Sequence, residues 1–468
     1  MSSRYVTAID IGTSKLAVIV GEKTSTGIRI IGYSESPLPS DGVRRSEIMN
    51  PMKVISVLKA TLQKVLEQVH SLPDTEHYPI RNVYVNISGQ SLRCCSAGMS
   101  RNRQDPDSMI SAEEVASMLD EMYLTKVESN EQTLFVVPQY YNVDEFMDVG
   151  DPVGMVGKEI SGDYRLFVGG AGTVKKSSQT ITMSNLNPRK FILSPIAAAA
   201  ALLTDDEKEL GTVLVDIGAG TTDILIYQGN IIRHAAVIPF AGNSISEDIS
   251  QICGVSLRNA ELMKIQHGSC VSEYAPENKI ISIRDKNGIP VKDVPFKLLY
   301  KAIEARTCEI LATVRRIVEE SGYRDRIRSG AVLTGGSANL NHIQILARAI
   351  LGMDVRIGLP DSNTVIGNSV EEVFRPDASV AVGLVVKGFE YEEILPEAPS
   401  YHQEPAPQPA DNATLFGAQE TEKTVPSEDA SDQNKANPAT RKTPKPQKTK
   451  IPISERIKSL FDSTDDNA

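Results

Sequence analysis

YVTAIDIGTSKLAVIV (residues 5–20) and GTVLVDIGAGTTDILIY (residues 211–227) are two versions of one pattern. Each has an apolar strand ending in Asp-Ile-Gly, a short turn of glycine and hydroxyl residues, and a second apolar strand. The leading aspartates, Asp10 and Asp216, stand 206 positions apart, about one domain length. A strand-turn-strand unit repeated at that spacing predicts two similar domains facing one cleft. Either hairpin alone reads equally well as an ordinary turn capped by its aspartate. The repetition argues for shared chemistry.

That chemistry is phosphate binding. Gly12, Gly218 and Gly220 let the backbone approach an anion closely, and successive turn amides can point at one set of phosphate oxygens. Thr13, Ser14, Thr221 and Thr222 add hydroxyl donors, and Lys15 adds a positive charge. An aspartate beside a phosphate repels it unless a cation lies between, so Asp10 and Asp216 read as holders of hydrated Mg2+. A third element, AVLTGGSANL (residues 331–340), is a buried strand followed by Gly335, Gly336 and Ser337. Its continuation reads as a helix with Ile343, Leu346 and Ile350 on one side. Paired glycines there let a flat base or a phosphate lie against the backbone.

Strand and helix signals alternate up to about residue 391, which predicts an α/β fold. Asn50 and Pro51 open a helix carrying Val54, Leu58, Leu62, Val65 and Val69 on one face. Ser111 and Glu114 make a capping-box pattern ahead of Val115, Met118, Leu119 and Met122. The chain has 468 residues and a net charge of −11, which argues against general nucleic-acid binding. Its five cysteines have no zinc spacing, and with no signal peptide they are expected to be reduced in a cytoplasmic protein; Cys94-Cys95 reads as strand packing. The six histidines are scattered. No stretch of about 20 apolar residues predicts a membrane span, and no GxxxxGK[ST] or GxSxG motif is present.

The hairpins and the Gly-Gly-Ser turn, in this order, resemble the actin, Hsp70 and sugar-kinase superfamily of ATP-binding folds. VPQYYNVDEFMDVGDPVGMVGKEI (residues 137–160) narrows the resemblance to the FtsA family of bacterial cell-division proteins. In that family a DPVGMVG-like segment follows a small subdomain inserted into the first domain. The resemblance implies an actin-like two-domain fold with duplicated units. Residues 1–84 and 166–208 would form the first domain, 85–165 the insert and 209–390 the second domain. Residues 391–450 would be a disordered linker and 451–468 an amphipathic tail.

The resemblance further implies ATP with Mg2+, self-assembly into actin-like filaments, and tethering of the tubulin-like division GTPase (FtsZ) to the cytoplasmic face of the membrane at the division site, alongside other divisome proteins. Asp10, Gly12, Thr13, Ser14 and Lys15 match the first phosphate motif. Asp216, Gly218, Gly220, Thr221 and Thr222 match the second, and Gly335, Gly336 and Ser337 the adenosine motif. Lys301 and Glu304, on a helix of residues 297–318, are expected to contact ribose or base. One departure stands out: related ATPases carry a Glu before the proline that here follows Ser194. The missing carboxylate implies slow or absent turnover, with ATP acting as a conformational ligand. The alternatives are a sugar kinase of the same fold or an actin-like protein of cell shape or pilus assembly.

After residue 391 the composition turns to Pro, Gln, Ala and charge, too little apolar surface to offset chain entropy. Near the end, Ile453, Ile457, Leu460 and Phe461 fall on one helical stripe. Residues 441–458 carry seven Lys or Arg, Arg456 and Lys458 among them, against the single acid Glu455. An apolar stripe with basic flanks suits an anionic membrane surface. A solvated basic face, or a helix docking in a protein groove, is the other reading of the same pattern.

Overall fold

The computed structural model describes residues 4–394, apart from 74, 76, 77, 285–289, 361–363 and 367–369. The expected tail, with Ile453, Arg456, Ile457, Lys458, Leu460 and Phe461, and nearly all of the expected linker lie outside the described residues.

The repeat in the sequence is a repeat in topology. One five-stranded sheet runs Asn187–Leu193, Asn82–Ile87, Tyr5–Ile11, Lys15–Thr24, Gly27–Pro37. The other runs Val355–Ile357, Ala331–Thr334, Thr212–Ile217, Thr222–Gln228, Ile231–Ile238. Each is an antiparallel three-stranded meander extended by two parallel strands on the side of its first strand. In Tyr5–Ile11 and Thr212–Ile217 nearly every residue is buried. Both faces of these sheets are covered, so the strands read as continuous apolar runs instead of alternating.

Two helices fill the space between the sheets. Ser194–Leu202 is alanine-rich and almost wholly buried. It crosses Ser379–Ile394 so closely that a Cβ on Gly383 would run into the carbonyl of Ala197. Both helices share one apolar core with Ala8 and Ile19 of the first sheet and with Leu214, Leu225 and Val332 of the second.

The outer faces are covered by amphipathic helices. Pro51–His70 has Asn50 at its N-cap, accepting from Lys53 N at 3.3 Å. It buries Val54, Leu58, Val65 and Val69, with Leu62 half-buried at the edge. Phe296–Glu320 covers the second sheet with Leu299, Ile303, Ile310 and Val314.

A separate four-stranded sheet, in the order Arg93–Asn102, Glu159–Gly170, Glu131–Val143, Phe146–Val149, carries the helix Ala112–Tyr123, which buries Met118 and Met122. Cys94 and Cys95 lie in its first strand, and all five cysteines are free. Only half of the expected capping box forms. Ser111 Oγ accepts from Glu114 N at 3.2 Å, but the Glu114 carboxylate turns to the buried Arg103 at 2.9 and 3.2 Å. A buried guanidinium is the stronger partner for a carboxylate than one backbone amide.

Candidate functional site

The two Asp-Ile-Gly turns close in the same way. Gly12 N donates to Lys15 O at 3.0 Å, and Gly218 N donates to Thr221 O at 3.0 Å. They also meet each other. Ser46 N donates to Thr13 Oγ1 at 2.9 Å, and Ser46 Oγ lies 3.0 Å from Thr221 Oγ1. A Cβ on Gly220 would collide with the Thr13 side chain, so glycine is what permits this approach.

Around this junction lies a cavity of about 410 Å3, within the range of roughly 300–1,000 Å3 usual for small-molecule sites. Asp10, Gly12, Thr13, Ser14, Lys15, Asp216, Gly218, Gly220, Thr221, Gly335, Gly336 and Ser337 all line it. Gly335 has φ +85°, and a Cβ there would strike Asp216 Oδ1. Ser337 Oγ donates to Gly218 O at 3.2 Å, which ties the third motif to the second. The stretch after Gly335 is a short 3-10 turn, Gly336–Asn339, and the regular helix begins only at Ile343–Leu351.

Three expected residues stand elsewhere. Thr222 is buried in its strand, with its hydroxyl donating to Phe240 O at 3.0 Å. Lys301 and Glu304 do not line the cavity. Ile303 between them packs under Gly268, so their helix supports the wall instead of forming it. Glu261, Lys264 and Ile265 of the helix Leu257–His267 line that end. Lys264 Nζ donates to Gly242 O at 2.9 Å and pairs with Glu261 at 2.8 Å, beside the exposed Ile265.

Asp223 is the acid that the motif reading passed over. Strand pairing sets it directly opposite Asp216, and Ser88 Oγ donates to its two oxygens at 3.1 and 2.9 Å. Its signal was legible in the hairpin register, seven positions past Asp216. Ser46 and Asn86 also belong to the cavity wall and carry no motif. Asn86 Oδ1 accepts from Ile11 N at 2.7 Å, and its amide donates to Ser194 Oγ at 3.1 Å. Ser194, the residue read as a departure from the family pattern, lines the cavity.

Burial dominates the electrostatics. It pushes Asp10 up to about 6, partly opposed by Lys15. It pushes Asp216 up to about 8, with Asp223 and Asp10 adding repulsion. Asp223 is pushed up to about 7 by burial, with Ser88 opposing. Three buried acids that resist ionisation are a demand for positive charge. Lys15 does not supply it freely: its Nζ sits 2.6 Å from Glu35 and 2.5 Å from Asp377. Among the described residues, no three His, Cys, Asp or Glu side chains are grouped to hold a metal directly. Carboxylates are oxygen donors of the kind that hard cations such as Mg2+ take, directly or through water. Glycine turns, hydroxyls and cation-seeking acids around one cavity fit a polyphosphate with its counter-ion.

Two sheets of identical topology, two buried crossing helices between them and a cavity at the paired hairpins define the actin-like class of fold. A solved structure, the PilM-PilN type IV pilus biogenesis complex, shares this architecture with a TM-score of 0.57 and 16% identity. That match covers 83% of this chain and 99% of that one.

A family model described as "Cell division protein FtsA" matches residues 213–383, and one described as "SHS2 domain inserted in FTSA" matches 89–168. "Cell division protein FtsA" of Pseudomonas aeruginosa is 29% identical over 391 residues, covering 83% of this chain and 90% of that protein. Its Escherichia coli K12 counterpart is 28% identical over 396 residues, covering 83% and 91%. The chain belongs to the FtsA family of cell-division proteins.

Proposed function

We propose that this chain binds ATP with Mg2+ in the hairpin cavity and uses it to control self-assembly on the membrane at the division site. The observation that carries the reading is the meeting of two matching turns over three buried acids. Asp10 and Asp216 would hold the hydrated cation, with Asp223 beside them. The turns at Gly12, Thr13 and Ser14 and at Gly218, Gly220 and Thr221 would hold the phosphates. Gly335, Gly336 and Ser337, with Ile265 opposite, would receive the nucleoside. The cation supplies the charge that lets an anion sit among carboxylates.

Ser194, hydrogen-bonded to Asn86, offers no carboxylate to orient a water, which supports slow turnover. In this reading residues 85–165 form the insert between the halves of the first domain, and residues 209–390 form the second domain. Assembled chains would present many basic amphipathic tails to one anionic membrane patch, so that weak single contacts add into firm attachment. The filament would then tether the tubulin-like GTPase ring, FtsZ, to the cytoplasmic face, together with other divisome proteins.

Calorimetric titration of the full chain with MgATP tests the foundation. Saturable uptake is expected, together with a thermal midpoint that rises with ligand concentration as mass action requires. Omitting Mg2+ is expected to weaken binding by at least about tenfold, given three acids in the site. A well-folded chain that takes up no adenine nucleotide with Mg2+ present would end this reading.

A further inference from the structure

The segment before the helix Ser379–Ile394 joins the two sheets by different means. On one side it is pinned to the second sheet: Pro376 O accepts from Gly335 N at 3.3 Å and from Thr334 Oγ1 at 2.9 Å. Thr334 Oγ1 also lies 2.8 Å from Ser379 Oγ. On the other side it reaches the first sheet through charge. Asp377 Oδ2 holds Lys15 Nζ at 2.5 Å, and Arg375 donates to Glu35 at 3.0 Å. Glu35 in turn accepts from Lys15 at 2.6 Å and from the Tyr33 hydroxyl at 2.7 Å.

Lys15 and Asp377 line the cavity, whereas Glu35 does not. Among the described residues, the cavity's other lysine is Lys264, already committed to Gly242 O and Glu261. An anion arriving at the first hairpin therefore meets an ammonium whose charge two carboxylates have cancelled. One of those carboxylates, Asp377, faces the same space and adds to the negative field at Asp10 and Asp216.

We propose that Asp377 is a competitor for Lys15, an affinity-setting latch that a polyphosphate must displace. Binding and the Asp377–Lys15 pair then oppose each other through one ammonium, and each weakens the other by the same factor. Displacement removes one of the segment's two charged ties to the first sheet, while Arg375–Glu35 and the hydroxyl contacts to the second sheet persist. The inference rests on the cavity being the phosphate site.

The test is made on the full chain with MgATP, MgADP and inorganic tripolyphosphate as titrants. Asp377→Asn keeps the shape and removes the charge. It is expected to bind each titrant roughly two- to fivefold more tightly, the scale of one partly exposed charge pair. Asp377→Glu is expected to return to wild-type affinity, and in a Lys15→Met background Asp377→Asn is expected to gain nothing. Without any ligand, acylation of Lys15 by acetic anhydride, followed by mass spectrometry, is expected to be faster in Asp377→Asn. Wild-type binding with an unchanged or weaker Asp377→Asn, an unchanged acylation rate, or a gain that survives loss of Lys15 would overturn the latch and leave the phosphate site standing. No uptake by any variant would remove the phosphate site and the latch with it.

Discussion

Asp10, Asp216 and Asp223 are three buried acids of the cavity wall, and their burial sets a dependence on pH. A carboxyl raised from its ordinary 3.8 to about 6, 7 or 8 keeps its proton in the folded chain while the unfolded chain has lost it. The folded state then binds more protons, and stability falls as pH rises. That fall begins near the unfolded value and runs until pH passes about 8. Without ligand or divalent cation, the chain is expected to unfold at a higher temperature near pH 5.5 than near pH 8.5, by several degrees. Asp216→Asn is expected to flatten that slope and to abolish Mg2+-dependent nucleotide uptake. Scanning calorimetry across pH in a chelator checks the first outcome and titration the second; a midpoint flat in pH for the wild type would contradict the account. The motif reading named Asp10 and Asp216 but passed over Asp223 and Asp377. Asp223 needed the strand register, and Asp377 needed a fold that brings residue 377 to residue 15.

At the scale of elements, the crossing of Ser194–Leu202 with Ser379–Ile394 fixes how the two sheets stand around the cavity. The crossing is close because Gly383 has no side chain where the Ala197 carbonyl lies. Gly383→Val is expected to cost about 3 kcal/mol, since a packed crossing cannot absorb the added atoms without moving backbone. A lowered urea midpoint with unchanged slope would show it; an unchanged midpoint would mean that the helices can part freely. Helix starts were legible where a local cap decides them, as at Asn50 with Pro51. The box at Ser111 was legible only in part, because Glu114 answers to Arg103, eleven positions back. Strand Arg93–Asn102 has nearly alternate exposure and modest apolar content, so its place comes from pairing with Glu159–Gly170.

For the whole molecule, the expected behaviour separates nucleotide from membrane. Removing residues 451–468 is expected to leave MgATP affinity unchanged and to reduce recovery with phosphatidylglycerol vesicles by roughly tenfold or more, since the apolar stripe is lost together with Arg456 and Lys458. Co-sedimentation with and without MgATP measures this, and equal recovery of the truncated chain would refute the anchor. Among the described residues no helix is long and apolar enough to cross a membrane.

By itself the sequence determined the α/β class, the duplication and the two turns, because these depend on residues within a few positions of one another: apolar runs, glycine and a strand-ending aspartate. Only the tertiary structure decided which side chains share the cavity. It left Lys301 and Glu304 outside, brought in Ser46, Asn86, Asp223, Lys264 and Asp377, and paired Lys15 with two carboxylates. The physical reason is that Coulomb attraction, burial and close backbone approach act between groups set hundreds of positions apart. Such neighbours exist only after the sheets and crossing helices have packed.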